Sequence, residues 1–277
     1  MNQALKKILI KTKKQAFSEV IGNNISKQKG EGYDFCELKE YEYGEDVKNI
    51  DWVISAKAQK PIVKVFHSQK ELNIKIVNLL SGSTYFGTKK LKKDVIVELA
   101  SILGFICTKQ ADPFTSYIAN EKLELCTRKS KKVFNVNLMA ENIYEYNVLN
   151  KSINYKEILK ELFKTAHHKS IIFLIGDFFD IEDLDLKLLN SKHEIIALIV
   201  RDKFEEEPKS LGNVNFIDPN SSSNYEGVLD DRTITNYIKK VKENDHKLYK
   251  HLQDCGIRFT KIYTHENPVK KLIGVLK

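Results

Sequence analysis

Histidine and carboxylate side chains are the groups of this chain with the greatest capacity for metal binding or proton transfer. The seven histidines are scattered: His67, His167, His168, His193, His246, His251 and His265. His246 and His251 are five residues apart on a predicted helix, whereas two zinc ligands on one helix face stand four apart. Asp112 and Asp177 are candidates for the same sheet edge. Two carboxylates without a base, a nucleophile or a metal make a weak catalytic case.

Short catalytic and cofactor-binding motifs are absent from the sequence. None of the strings GxSxG, HExxH, GxxxxGKS or GxGxxG occurs, so hydrolase, zinc-protease, P-loop and dinucleotide-binding functions have no local support. The four cysteines form no CxxC pair, which argues against a zinc ribbon or a redox dithiol and favours reduced thiols in a cytoplasm. We therefore expect a protein that is not an enzyme.

The charge balance permits an acidic partner but does not favour nucleic acid. The chain of 277 residues has 45 Lys and Arg against 37 Asp and Glu, a formal net charge of +8. The arginines are Arg128, Arg201, Arg232 and Arg258, and the other basic residues are lysines. A lysine lacks the planar fork that contacts phosphate or guanine through two hydrogen bonds. No specific nucleic-acid binding is expected, and weak, salt-sensitive binding through lysines stays as an alternative.

No segment of the sequence has the pattern of a membrane span or a signal peptide. The longest apolar runs, residues 171–175 and 195–200, are far shorter than the ~20 residues that cross a bilayer. The N-terminus has charge but no long apolar region or cleavage site. Hydrophobic residues make up 42% of the chain, which is enough for a sizeable core. These features predict a cytoplasmic globular protein without membrane insertion.

Apolar periodicity from Leu72 onward alternates between strands and helices. Apolar residues recur at three and four residues after Thr88, which predicts a helix with Thr88 as its N-cap, and Gly256 stands where a helix would end. The predicted strands cover residues 61–66, 74–80, 114–119, 123–127, 170–176, 194–200, 214–217 and 258–263, and the predicted helices cover 1–20, 88–106, 153–163, 230–254 and a last segment from Pro268. Continuous apolar strands suit a parallel sheet covered on both faces. The predicted fold class is α/β, an open sheet with helices on both sides.

Three stretches of the sequence resemble a known family. Residues 30–35 read GEGYDF, residues 38–57 read LKEYEYGEDVKNIDWVISAK, and residues 174–178 read LIGDF. We call residues 38–57 the Ile-Asp-Trp block. In these motifs the chain resembles the domain of unknown function 58 family, whose members carry a von Willebrand factor A-like domain. The resemblance implies a Rossmann-like von Willebrand factor A domain over residues 71–277, preceded by an N-terminal flanking segment over residues 1–70.

The resemblance also implies a partner. Members of the family resemble companions of MoxR-type AAA+ ATPases, which they are thought to serve as adaptors or assembly factors. We therefore expect protein–protein contact with such an ATPase, and other von Willebrand factor A-like proteins are further candidate partners. A metal-dependent phosphoester hydrolase on the same sheet is the alternative, and loss of phosphodiester turnover on Asp177→Ala would support it.

The Ile-Asp-Trp block permits two interpretations. Its single Trp lies among aliphatic residues, and such a Trp is more often packed in a core, with nearby carboxylates capping turns around Gly44. Charges this dense beside aromatic residues also suit an interface. On the second interpretation the partner-binding residues are Lys39, Asp46, Lys48, Asp51, Trp52 and Lys57.

The resemblance further implies a metal-ion-dependent adhesion site, which this sequence retains only in part. In the family an Asp and two serines after the first strand of the domain, with a Thr and a second Asp from later loops, hold Mg²⁺. Here the Asp, the two serines and the second Asp correspond to Leu79, Ser81, Ser83 and Asp177, and Ser152 is a weak match for the Thr. Because Leu79 offers no oxygen, we expect a degenerate site with no resident cofactor that binds Mg²⁺ weakly at most.

Overall fold

The computed structural model describes residues 2–20, 35–66, 72–221 and 223–276, which divide into two units. Residues 35–66 are the small unit, and residues 2–20 with 72–276 are the main unit. In chain order the elements are α1 (Gln3–Gln15), β1 (Phe35–Glu40), α2 (Trp52–Ala58), β2 (Ile62–Phe66), β3 (Asn73–Leu79), α3 (Lys92–Gln110), β4 (Phe114–Ala119), β5 (Leu123–Ser130), α4 (Val133–Glu145), α5 (Tyr155–Thr165), β6 (Ser170–Gly176), α6 (Lys187–Lys192), β7 (Glu194–Arg201), α7 (Lys203–Glu206), β8 (Gly212–Ile217), β9 (Asn224–Leu229), α8 (Asp231–Asp254), β10 (Arg258–Tyr263) and α9 (Pro268–Leu276). His67 and the first motif of the resemblance, residues 30–34, lie outside the described residues.

Five parallel strands and one antiparallel edge strand form the sheet of the main unit. Its order is β10-β7-β6-β3-β4-β5, in which β4 and β5 pair antiparallel. Val77 of β3 lies between Tyr117 of β4 and Leu174 of β6. The predicted α/β class is confirmed, since the sheet is mostly parallel and consistent with a Rossmann-like fold.

Helices cover both faces of this sheet. On one face α1, α3, α4 and α9 pack against strand residues that include Ile76 and Phe173. On the other face α5, α6 and α8 pack against the alternate residues, which include Val77 and Leu174. This division follows from the two-residue period of a strand. The carboxyl edge of the sheet is therefore held from both sides.

Helix α3 is buried along most of its length, but it begins later than predicted. Its first residue is Lys92, and Leu91 stands at the N-cap position without a side-chain capping bond. The prediction that Thr88 caps this helix is wrong. The backbone N–H of Thr88 instead donates to Asp202 Oδ2 at 2.9 Å, and its hydroxyl donates to the same oxygen. This contact with a distant residue replaces the local cap.

Helix α1 belongs to the main unit rather than to a flanking segment. Leu5 and Leu9 are buried in the core that contains α3, and Lys11 Nζ lies 3.3 Å from Glu98 Oε1 on that helix. The sequence placed this helix with the Ile-Asp-Trp block in residues 1–70. That boundary needs correction, because the apolar stripe of α1 is buried against the main unit and only residues 35–66 are described as separate from it.

The small unit consists of two antiparallel strands, β1 and β2, with the short helix α2 between them in sequence. Strands β1 and β2 pair antiparallel, and Ser55 of α2 accepts a hydrogen bond from the backbone N–H of Ile62 at 2.8 Å. Asp51 caps α2, because its Oδ1 accepts from the N–H groups of Val53 and Ile54 at 3.0 Å each. The block is thus locally ordered by polar contacts rather than by a large core.

Helix α4 and strand β9 were not predicted from the sequence. In α4 the buried residues Val136, Met139, Ala140 and Ile143 do stand at helical spacing. The strand predicted at 214–217 is confirmed as part of β8, which pairs antiparallel with β9. Strand β9 was not predicted because it lies next to a Ser- and Asn-rich stretch, a composition typical of loops.

Leu5→Ala should lower the free energy of unfolding by about 2–5 kcal/mol, because a wholly buried Leu leaves a cavity when it is truncated. Ile10→Ala on the same helix is the control, since Ile10 is 62% exposed and should change the free energy by no more than about 0.5 kcal/mol. Urea denaturation measures both. Equal effects of the two variants would show that α1 is not part of the main core.

Candidate functional site

The strand order reverses direction beside β3, and this brings the polar residues of two loops together. From β3 the chain moves to β4 on one side and later returns to β6 on the other. Ligand sites of open α/β sheets lie at such points, outside the carboxyl ends of the strands. Here the Ser83 hydroxyl donates to Asp177 Oδ2 at 2.5 Å, and the Ser81 and Ser83 hydroxyl oxygens are 2.7 Å apart. The structure therefore brings together three of the four sequence-predicted positions.

Leu79, the fourth position, lies in the core instead of in this cluster. It is 3% exposed and packs in the same core as Tyr155 and Phe178. A Cβ on Gly176 would lie 2.6 Å from Leu79 Cβ, so the glycine makes room for this side chain. Leu79 therefore contributes packing and no ligand atom.

The ammonium group of Lys92 pairs with the aspartate of this cluster. This first residue of α3 is wholly buried, and its Nζ lies 3.0 Å from Asp177 Oδ2 and 2.5 Å from Glu205 Oε1. The ring of Phe179 lies beneath the same nitrogen, 5.7 Å from it. A buried ammonium is tolerated only with such partners, because desolvation of an unpaired charge is very costly.

The two carboxylates respond in opposite directions to this environment. Burial favours the protonated form of Asp177, but Lys92, the Ser83 hydroxyl and Arg201 outweigh it and hold the pKa of Asp177 below its ordinary value. Burial dominates at Glu205 and raises its pKa, although Lys92 opposes that shift. Asp177 is therefore the ionised partner of the ammonium, and Glu205 is the more readily protonated one.

Asp202 fastens three segments at the same edge. Its carboxylate accepts hydrogen bonds from the N–H of Thr88, the hydroxyl of Thr264 and the N–H of Phe204. Burial would raise the pKa of Asp202, but these hydrogen bonds outweigh burial and lower it. The loop before α3, the end of β10 and the start of α7 are thereby joined through one side chain.

A second charge cluster consists of Arg201, Asp245, Lys261 and Glu206. The wholly buried Arg201 donates to Asp245 Oδ1 at 2.9 Å and to the carbonyl of Phe178 at 3.1 Å. Lys261 Nζ lies 2.8 Å from Asp245 Oδ2 and 2.7 Å from Glu206 Oε1. These ion pairs tie β7 and β10 to α8 and α7.

The turn between β8 and β9 covers the serine loop. Asn220 Oδ1 accepts a hydrogen bond from the N–H of Ser83 at 3.2 Å, and the carbonyl of Pro219 accepts one from Asn150 at 2.9 Å. A Cβ on Gly82 would lie 2.0 Å from the Pro219 carbonyl oxygen, so this close approach requires glycine. The serine loop is therefore partly closed by a segment of the same chain.

The residues of this cluster do not fit a bound Mg²⁺. An oxygen site needs free anionic oxygens, whereas Asp177 Oδ2 already accepts from Ser83 and Lys92. A divalent ion at that oxygen would face the ammonium group 3.0 Å from it. Within the described residues, no three His, Cys, Asp or Glu side chains converge as metal ligands.

The remaining sequence candidates for chemistry are not brought together. Asp112 precedes β4 and accepts from the N–H of Leu72, so it lies at the amino edge of the sheet, opposite Asp177. The suggestion that these two carboxylates share an edge is therefore wrong. On α8 the ring of His251 accepts from the N–H of Leu186, whereas His246 is exposed.

In the small unit, three of the predicted partner-binding residues have structural contacts. Lys39 Nζ lies 2.5 Å from Glu45 Oε1, and Asp51 Oδ2 lies 2.6 Å from Lys64 Nζ. Asp46 caps the short turn at Val47–Asn49 by accepting from the N–H of Lys48. The expectation that the carboxylates of the block cap turns is confirmed.

The other three predicted partner-binding residues of the block are exposed. Lys48 and Lys57 have exposed side chains, and no carboxylate pairs with them within the part of the chain that the structure describes. Trp52 is 67% exposed, so the expectation that it is packed in a core is wrong. Trp52 is the first residue of a seven-residue helix in which Ser55 is the buried residue.

Lys92, Glu205 and Asp202 were not identified from the sequence. Lys92 stands among Lys89, Lys90 and Lys93, a run typical of a solvated surface. Asp202 did carry a signal, because it follows the apolar run 194–200 directly and so had to lie at the carboxyl edge. The partners of Lys92 are 85 and 113 residues away along the chain, which no local pattern indicates.

Asp202→Asn should destabilise the protein by about 1–3 kcal/mol at neutral pH, because one of the two accepting oxygens becomes an NH₂ group that faces buried donors. The folded-state pKa is lowered, so the stabilisation is present above the pKa of the unfolded chain and is lost as the pH falls through the folded-state value. The difference between wild type and variant should therefore shrink below about pH 4 in urea titrations. Asp254→Asn, at an exposed position, is the control, and a pH-independent difference for Asp202→Asn would refute this role.

Comparison with known proteins places the chain in a family. The uncharacterised proteins Rv1480 of Mycobacterium tuberculosis and Mb1516 of Mycobacterium bovis are each 20% identical to it over 258 residues, which cover 91% of this chain and 81% of each relative. The crystal structure of the conserved hypothetical protein BatB from Bacteroides thetaiotaomicron is 8% identical, covering 74% of this chain and 97% of that chain, with a TM-score of 0.47. An aerotolerance-related membrane protein from Bacteroides fragilis is 9% identical, covering 67% of this chain and 98% of that chain, with a TM-score of 0.38. Neither structural likeness is close enough to support an argument.

The length and polarity of the helices can be compared with what a bilayer requires. Among the described residues, none of the helices combines the length and the apolar character that crossing a membrane demands.

The model of the family described as "Protein of unknown function DUF58" matches residues 37–247, which is most of the chain. The chain therefore belongs to the DUF58 family.

Proposed function

We propose that this chain is a non-enzymatic adaptor or assembly factor that acts by direct contact with a MoxR-type AAA+ ATPase in the cytoplasm. The partner class follows from the family resemblance, in which the main unit is a von Willebrand factor A-like domain with a degenerate metal site. The observation that carries the proposal is a set of exposed apolar side chains on the small unit, in a segment that also has two exposed lysines with no carboxylate partner among the described residues.

These apolar side chains, which we call the Trp52 patch, are Tyr43, Val47, Trp52 and Val53, all within eleven residues of the sequence. All four side chains are more than half exposed, and Trp52 and Val53 are 67% and 68% exposed. Solvent-exposed aromatic and aliphatic groups in one short segment are unfavourable unless they meet a partner. Trp and Tyr are also the residues that contribute most to the energy of protein interfaces.

The charged residues of the block have two different tasks in this proposal. Lys39, Asp46 and Asp51 are engaged in ion pairs or caps, so they shape the patch. Lys48 and Lys57 are exposed and free of carboxylates in the described residues, so they are available to acidic groups of a partner. Complementary charge accelerates association and selects the partner.

The carboxyl edge of the sheet gives little support to the alternative of a metal-dependent hydrolase. The Ser83 hydroxyl donates to Asp177, and the same carboxylate is neutralised by Lys92. Neither group is left to activate a water molecule or to hold a metal ion. The free thiols Cys107, Cys126 and Cys255 are compatible with the reducing cytoplasm that the adaptor proposal requires.

Lys48→Glu with Lys57→Glu should weaken binding to the ATPase at least tenfold, because both exposed cations become anions. The thermal midpoint should stay nearly unchanged, since neither side chain has a partner to lose in the described residues. Co-purification and a titration with the purified ATPase measure the effect.

The matched control for this pair is Lys240→Glu with Lys250→Glu, which makes the same charge change at two exposed positions of α8. Equal weakening by both pairs would indicate an effect of net charge alone. Unchanged binding together with a lower thermal midpoint would indicate that the block is structural and would contradict the proposal.

Chelation of divalent cations should leave binding to the nucleotide-free ATPase unchanged. The reason is that the serine cluster already contains a cation of the chain, so a metal-bridged contact is not needed there. Binding measured in EDTA and in millimolar Mg²⁺ should agree within about twofold. A loss of more than tenfold in EDTA would show that a metal ion takes part in the contact.

A further inference from the structure

We propose that the ammonium group of Lys92 is the built-in cation of the serine cluster, and that truncation of Lys92 converts the same oxygens into a divalent-cation site. The chain thereby replaces a bound metal with a charge that it carries itself.

Oxygens of two carboxylates converge on the ammonium group of Lys92. Asp177 Oδ2 and Glu205 Oε1 approach Lys92 Nζ at 3.0 and 2.5 Å. The hydroxyl of Ser83 bonds the same Asp177 oxygen, and Ser81 lies next to it. Carboxylates and hydroxyls are the donors that a hard divalent cation takes, and here the ammonium contacts both carboxylates while the hydroxyls lie next to one of them.

The position of Lys92, buried at the first residue of α3, is unfavourable for a cation. A cation at the first residue of a helix opposes the helix dipole, and the Lys92 side chain has no exposed surface. The two carboxylates, together with the ring of Phe179, offset these costs. Without the ammonium, Asp177 and Glu205 would both be buried and would lose the cation that they share. Such a pair of carboxylates attracts a cation from solution.

The inference deepens the proposed function and rests on it in one respect, the expected metal independence of partner binding at this edge. The metal measurement itself needs no ATPase. If the ATPase does not bind but Lys92 behaves as proposed, only the adaptor role fails. If the ATPase binds but Lys92→Ala gains no metal affinity, only the present inference fails.

Two substitutions separate charge from space. Lys92→Ala removes the ammonium and leaves room for an ion with its water molecules, whereas Lys92→Met makes the same charge change and fills that room with an apolar side chain. Mn²⁺ is the probe, followed by electron paramagnetic resonance and calorimetry. Lys92→Ala should bind Mn²⁺ at least tenfold more tightly than wild type, and Lys92→Met should not.

The thermal midpoint supplies a second readout. EDTA should lower the thermal midpoint of Lys92→Ala relative to buffer that contains Mn²⁺. Compared with the EDTA condition, Mn²⁺ at about 100 times its dissociation constant should raise this midpoint by about 5 °C. Adding Asp177→Asn to Lys92→Ala should abolish the gain. The wild-type midpoint should not respond to Mn²⁺.

Two results would overturn the proposal: wild type that binds Mn²⁺ as tightly as Lys92→Ala, or Lys92→Ala that gains no affinity. If Lys92→Ala does not fold even with Mn²⁺ present, the comparison of Lys92→Met with Lys92→Met/Asp177→Asn decides. The double variant should have the higher midpoint, because the unpaired carboxylate is gone. An equal or lower midpoint would show that Lys92 is not the counterion of Asp177.

Discussion

The buried ammonium of Lys92 is the contact on which the carboxyl edge of the sheet depends, because it joins three segments that no local interaction connects. It belongs to the start of α3, and its two partners follow β6 and lie in α7. Removing one partner of a buried ion pair typically costs about 3–5 kcal/mol, since the other charge stays desolvated. One charge that solvent does not reach therefore links the segment after β6 and α7 to the start of α3.

The six residues from Arg201 to Glu206 distribute charge over this whole edge. Arg201 ends β7, Asp202 caps α7 through a capping box, and Glu205 and Glu206 are consecutive residues of that short helix. Consecutive helical residues point in directions about 100° apart, so the two glutamates serve two separate clusters. The partners of the four residues are, in order, Asp245, Thr88 with Thr264, Lys92 and Lys261. A four-residue helix is stable here because each of its ends is tied to a neighbouring strand or helix.

The sequence predicted the sheet far better than the charges at its edge. Apolar runs such as residues 170–176 and 194–200 are long, continuous and bounded by polar residues, so their strands could be located from local pattern. Lys92 could not be located, since its surroundings are supplied by segments distant in sequence while its neighbours are solvated lysines. The prediction of Thr88 as a helix N-cap was wrong because its partner is also distant in sequence: the N–H and hydroxyl of Thr88 bond to Asp202. Trp52 shows the converse, where a residue type that usually packs in a core is exposed.

Lysines of the two units differ in what their charge is available to do. At the carboxyl edge Lys92 and Lys261 each contact two carboxylates, so their charge is neutralised within the protein and fixes its shape. In the small unit Lys48 and Lys57 are solvated and have no carboxylate partner among the described residues. A solvated cation can exchange water for the carboxylate of another protein at small desolvation cost, whereas a buried paired one cannot. In the proposed adaptor role, recognition of an acidic partner would fall to the lysines of the small unit, whereas the paired lysines at the sheet edge stabilise the fold.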